Sequence, residues 1–126
     1  RSALLEAAGP TVWIEDEALM DAVTAVSGSG PAYVFLLAEA MIEAGIAQGL
    51  PSEAASALAR QTVLGAALML TRQDEPPEML RARVTSPGGT TQAAIETFEA
   101  GGFRELVARA IDAATRRGRE LSAAND

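Results

Sequence analysis

An all-α fold is what this chain predicts, and three observations carry that reading. Alanine and leucine abound while aromatic residues make up 4% of the 126, which favours helix over sheet. From Glu17 onward the apolar residues recur at helical spacing. Glycine and proline then fall in clusters between those periodic runs, where helices stop and restart. The length suffices for one ordinary domain with a real core.

Taken in order, residues 1–8 read as the end of a helix, stopped by Gly9-Pro10. "TVWIED" (11–16) is β-branched and aromatic and reads as one short strand. A lone strand is not stable, so it is expected to pair with something outside this chain. "EALMDAVTAV" reads as a short helix broken by Ser27-Gly28-Ser29-Gly30. Pro31 suits the first residue of the next helix, about 31–48, which is apolar nearly all round. Such a helix is buried on most sides, in a large core or between subunits. A membrane span is the weaker reading, because Glu39 and Glu43 lie one turn apart within it and no basic flanks follow.

Gly49-Leu50-Pro51-Ser52 is a stop and restart. A second long helix runs to about Thr71, with Ala55, Leu58, Thr62, Ala66 and Met69 along one face. "QDEPPE" is a linker, and Pro76-Pro77 opens a short helix to about Val84. A further helix runs to Glu99 and stops at Ala100-Gly101-Gly102. The last is amphipathic through Phe103, Leu106, Val107, Ala110, Ile111 and Ala114. Arg116, Arg117 and Arg119 near its end favour the negative helix pole, which is reason enough for them. Two long, very apolar helices are hard to cover with short ones, so self-association is expected.

Composition also narrows the chemistry. The formal net charge is −7, which argues against a general nucleic-acid binder. There is no cysteine and no histidine, and every cation is arginine. Thiolate nucleophiles, cysteine-ligated metal, Schiff bases and a P-loop lysine are therefore excluded. Carboxylates, hydroxyls, backbone amides or a cofactor must do the work. No secretory leader is visible at "RSALLEAAGP".

The densest chemistry lies in "VTSPGGTTQAAIETF" (84–98). Ser86-Pro87-Gly88-Gly89 fits a type II turn, with proline second and glycine third. Thr90 or Thr91 is expected to serve as helix N-cap. The first helix amides lack internal partners and sit at the positive pole, and the glycines allow close approach. That makes a place for a small carboxylate or phosphate, with the second threonine and Ser86 free to orient it. A tight loop with a good cap explains the same residues, and spacing alone names no reaction. Gly28-x-Gly30 fits a dinucleotide fingerprint poorly, since Tyr33 replaces the third small residue and a helix precedes it. The pairs Glu39/Glu43 and Asp74/Glu75 read as solvated charges rather than acid–base pairs, and Trp13 and Tyr33 as packing residues.

Three blocks carry a resemblance: "AVSGSGPAYVFLLAEAMIEAGIAQGLP", "VTSPGGTT" and "EAGGFRELVARAIDAATRRGREL". In order and spacing they are similar to the C-terminal domain of the pyrroline-5-carboxylate reductase family, over nearly all of residues 17–126. The resemblance implies a helical dimerisation and substrate-binding domain, 17–126, of the kind found at the C-terminus of 6-phosphogluconate dehydrogenase. It implies that 1–16 is the tail of an N-terminal Rossmann domain that binds NADP or NAD and is otherwise missing here. It implies a cytoplasmic enzyme of proline biosynthesis, at least dimeric, whose partner is a small molecule rather than nucleic acid or membrane. Ser86, Gly89, Thr90 and Thr91 fall on the family's substrate loop. By that likeness the amides near Thr90 and Thr91 and the Ser86 hydroxyl hold the substrate carboxylate. The Thr91 hydroxyl bonds the ring nitrogen and is the catalytic residue, while hydride reaches the imine carbon from the nicotinamide. Arg83 stands where some members have asparagine, which puts cofactor contacts there in doubt. Asp74 is the nearest match to an acidic residue that lies near the substrate amine in some members. Two other readings remain: a stand-alone helical association module without catalytic role, and an NADP-dependent reductase of another small carboxylic acid.

Overall fold

The computed structural model describes residues 3–5 and 12–125. Two short strands, β1 (Ala3–Leu5) and β2 (Val12–Ile14), precede the helices α1 (Met20–Val23), α2 (Gly30–Ala47), α3 (Ser52–Arg72), α4 (Pro77–Arg83), α5 (Thr90–Ala100) and α6 (Phe103–Asn125). The fold is helical, as composition and periodicity predict.

The beginning corrects two expectations. Ala3–Leu5 is strand where a helix end was expected, and it pairs antiparallel with β2, Leu4 opposite Trp13. The expected strand therefore finds its partner within the chain. Alanine and leucine favour helix only weakly, and a β-branched, aromatic neighbour strand outweighs that preference. The expected stop at Gly9-Pro10 lies outside the described residues.

The described residues fall into two compact units, 1–31 with 98–126, and 32–97. In the first, a 3₁₀ turn (Glu17–Leu19) capped by the Asp16 carboxylate leads into α1. The helix then widens into a π turn over Thr24–Gly28. Ser27 and Gly28, expected to break the helix, are thus inside it. The Ser29 amide bonds the Thr24 carbonyl at 2.8 Å, and the Ser27 hydroxyl donates to the Val23 carbonyl. This segment and α1 pack on α6, with Ala25 and Thr115 buried. Gly118 permits the closeness, since a Cβ there would meet the Asp21 carboxylate at 2.8 Å. The Phe98 and Phe103 rings meet edge to face, and Arg104 pairs with Glu99 across the α5–α6 turn.

In the second unit, α2 ends in a Schellman motif. Gly49 takes φ +105°, its amide bonds the Ile46 carbonyl, and the Leu50 amide bonds that of Gly45. Leu50 folds onto Gly45, and α3 begins from the Pro51 carbonyl. Ala55 and Ala59 are the buried residues of α3. Of the expected face, Ala55 is buried and Met69 half-buried, while Leu58, Thr62 and Ala66 between them are exposed. Apolar residues lie all round α3, and Val63, Leu68 and Met69 are half-buried besides Ala55 and Ala59.

Burial elsewhere is slight. Among the described residues Ala25, Ala55, Ala59, Leu80 and Thr115 are buried, whereas Phe35 is 65% and Leu36 66% exposed. No residue of the 18-residue α2 is buried. An open cleft lined by Val34, Phe35, Ala38 and Ile42 of α2 and Val63 of α3 carries Glu39 and Arg60 as its polar members. By length and composition alone, the helical stretch Glu17–Ala47 could cross a membrane.

Candidate functional site

The second unit also holds the 84–91 motif. Pro77 at the first position of α4 has no amide to leave unpaired, and Leu80 anchors that helix by its burial. The α4 carbonyls of Arg81 and Ala82 accept from the Val84 and Thr85 amides, and the Thr85 hydroxyl also donates to Arg81. The chain then turns. The Gly89 amide bonds the Ser86 carbonyl at 3.0 Å, and Gly88 sits at φ +73°, where a type II turn needs glycine. The predicted turn is present.

The capping expectation is corrected. The Gly89 carbonyl accepts from the Ala93 amide at 3.2 Å, so glycine holds the N-cap position and Thr90 and Thr91 are the first two helical residues. Neither threonine caps. A tight turn delivers the glycine carbonyl to the start of the helix, and both hydroxyls are left over.

Every predicted site residue is therefore within one turn and one helix start. Among the described residues, the hydroxyls of Ser86, Thr90 and Thr91 and the amides of Thr90, Thr91 and Gln92 make no hydrogen bond. Thr85, Thr97 and Thr115 behave differently, each donating to the carbonyl four residues back. Ser86 and Thr90 are exposed, and Gly89 and Thr91 half-buried. Unpaired amides at a positive helix pole, with hydroxyls beside them, suit a small anion.

Arg83 and Asp74 are not part of this arrangement. The Arg83 guanidinium pairs with the Glu75 carboxylate and bonds the Gln73 side-chain carbonyl, which ties the linker to the end of α4. Asp74 is exposed between those two tethered residues. Gln92 is not among the residues that the sequence motif singles out. Its side-chain carbonyl accepts the Gly88 amide. It stands at the third helical position, where the glutamine of a capping box reaches back. Among the described residues no group of three or more metal-ligating side chains converges.

The family model for pyrroline-5-carboxylate reductase dimerisation matches residues 17–121. This chain belongs to that family. It is 56% identical over 119 residues to the pyrroline-5-carboxylate reductase of Pseudomonas aeruginosa, which covers 94% of this chain and 44% of that protein. The Arabidopsis thaliana enzyme of the same name is 53% identical over 107 residues, 85% of this chain and 39% of the relative. Among solved structures, the pyrroline-5-carboxylate reductase of Coxiella burnetii superposes with a TM-score of 0.84 at 47% identity, over 87% of this chain and 41% of that one. The Plasmodium falciparum pyrroline carboxylate reductase with NADP bound gives 0.80 at 36% identity, over 85% and 41%. The chain thus spans less than half the length of these relatives. The family match runs through the whole apolar stretch from Glu17 to Ala47.

Proposed function

We propose that this chain is the dimerisation and substrate-binding part of an enzyme that reduces L-1-pyrroline-5-carboxylate to L-proline with NAD(P)H. The observation that carries the proposal is the start of α5: three unpaired amides and three unpaired hydroxyls, on a turn that lies within the stretch the family model matches. The amides of Thr90 and Thr91 and the Ser86 hydroxyl would hold the substrate carboxylate, with Gly89 giving it room. The Thr91 hydroxyl would bond the ring nitrogen. None of these groups is a base or nucleophile. They form a preorganised cradle, which keeps the imine in one orientation without reorganising during reaction.

A nicotinamide cofactor fits the reaction but not these residues. The described helices offer no strand followed by a glycine-rich turn and helix, which a dinucleotide-binding fingerprint requires. We infer that the cofactor is held mainly by residues outside this chain, in an N-terminal Rossmann domain of which 1–16 is the tail. When bound it supplies the hydride.

The apolar, unburied α2 supports a homodimer at least, since exposed apolar surface of this extent is the mark of an interface. The family is one of soluble biosynthetic enzymes, and we place this member in the cytoplasm. The test is NAD(P)H oxidation by the full-length protein carrying this domain, with pyrroline-5-carboxylate as substrate. Turnover is expected there and none from these 126 residues alone. A full-length protein that ignores pyrroline-5-carboxylate would overturn the reading.

A further inference from the structure

The Gly88 amide is the one donor of the turn that a side chain takes. It points to the Gln92 side-chain carbonyl, while the neighbouring Gly89 amide closes the turn on Ser86. Gln92 is half-buried and belongs to the first turn of α5. Its side chain therefore links the first turn of the helix back to the loop that precedes it. Both ends of the cradle are fixed by that link, the Ser86 side through the turn and the threonine side through the helix.

We propose that Gln92 is a positioning residue for substrate binding: by holding the Gly88 amide it keeps Ser86 and the Thr90 and Thr91 amides in register before the anion arrives. This rests on the reading of the α5 start as the substrate-carboxylate site. Without the link, Gly88 at φ +73° is exposed and joined to the helix only through Gly89, two glycines with wide backbone freedom. Ordering them would fall on the binding step, which weakens affinity rather than slowing the chemistry. The polarity of the group matters too. Glutamine accepts the amide without bringing charge, whereas a carboxylate in its place would accept equally well and set a negative charge beside the bound anion.

The experiment compares Gln92→Met and Gln92→Glu in the full-length enzyme, by steady-state kinetics in pyrroline-5-carboxylate with saturating nicotinamide cofactor. Gln92→Met keeps length and removes the acceptor; KM for the carboxylate substrate is expected to rise about three- to tenfold at any salt, with kcat little changed. Gln92→Glu keeps the acceptor; its KM is expected to rise at low salt and to return close to the parent at about 1 M salt, where charges are screened beyond ~3 Å. A merely structural residue would lower the melting temperature without this split between the two variants. If Gln92→Met leaves KM as in the parent, the proposal is overturned. If Ser86→Ala and Thr91→Ala also leave the kinetics unchanged, the site itself has been misplaced. If those two impair the enzyme and Gln92→Met does not, only the positioning role fails.

Discussion

Two regions of the second unit leave a physical demand unmet within one chain, and they do so in opposite ways. α2 offers apolar surface without cover: Val34, Phe35, Leu36 and Leu37 are all exposed. The start of α5 offers hydrogen-bonding groups without partners. Water tolerates the second far better than the first, because exposed amides and hydroxyls are solvated while apolar surface is not. On the proposed function the first demand would be met by association, which is nonspecific in direction and large in total. On that same proposal the second would be met by a ligand of the right charge and shape, through a few directed bonds. A helix that buries nothing and a turn that bonds little both leave room for completion from outside.

The comparison breaks most visibly at Leu37. Placing an aspartate there, in the middle of α2, should dissociate the oligomer or unfold the chain, since an unpaired buried charge costs several kcal/mol. Light scattering with circular dichroism distinguishes these outcomes, and a variant that keeps the parent's mass and helicity would show that α2 faces water after all.

At the turn the largest effect is expected from Thr91→Ala in the full-length enzyme. Losing a hydrogen bond that strengthens as the imine becomes an amine should cost about 2–4 kcal/mol, roughly a thirty- to thousandfold loss in kcat/KM. Because Gly89 rather than Thr91 holds the N-cap position, the melting temperature should hardly move. Parent-like turnover would reduce the motif to a helix start. Thr90→Ala should do less, because its proposed contribution is a backbone amide that alanine keeps.

The smallest effect sharpens the geometry. No heavy atom lies within 4 Å of a Cβ built on Gly88, so Gly88→Ala meets no clash and pays only for its positive φ, about 1–2 kcal/mol. A modest drop in melting temperature with a raised KM is expected, and a stabilised protein would contradict the turn.

Much of this was legible in the sequence. The helices from Pro31 onward are bounded by the glycines and prolines that mark them, and Ser86-Pro87-Gly88-Gly89 forms the turn its residues prescribe. What escaped had local chemistry pointing the wrong way. Ala3–Leu5 carries helix-favouring residues, and only its pairing with β2 makes it strand. Ser27 and Gly28 look like a break, yet a π turn absorbs them. On α3 apolar residues lie all round, so the periodic stripe includes the buried Ala55 but also the exposed Leu58 and Ala66. Two adjacent threonines look like caps, but the register of the turn places a glycine carbonyl first. Gln92 was hidden because its partner is a backbone amide, invisible to any reading of side chains.

The pairing of β1 with β2 has a spectroscopic consequence. The chain has a single tryptophan, Trp13, and it lies in β2 opposite Leu4. Indole emission therefore watches a two-stranded ribbon, a kind of structure with marginal stability of its own. Far-ultraviolet dichroism watches the helices. A thermal melt followed both ways is two experiments in one cuvette: superimposed curves mean the ribbon and the helices melt as one cooperative body, and an earlier fluorescence transition means the ribbon lets go first.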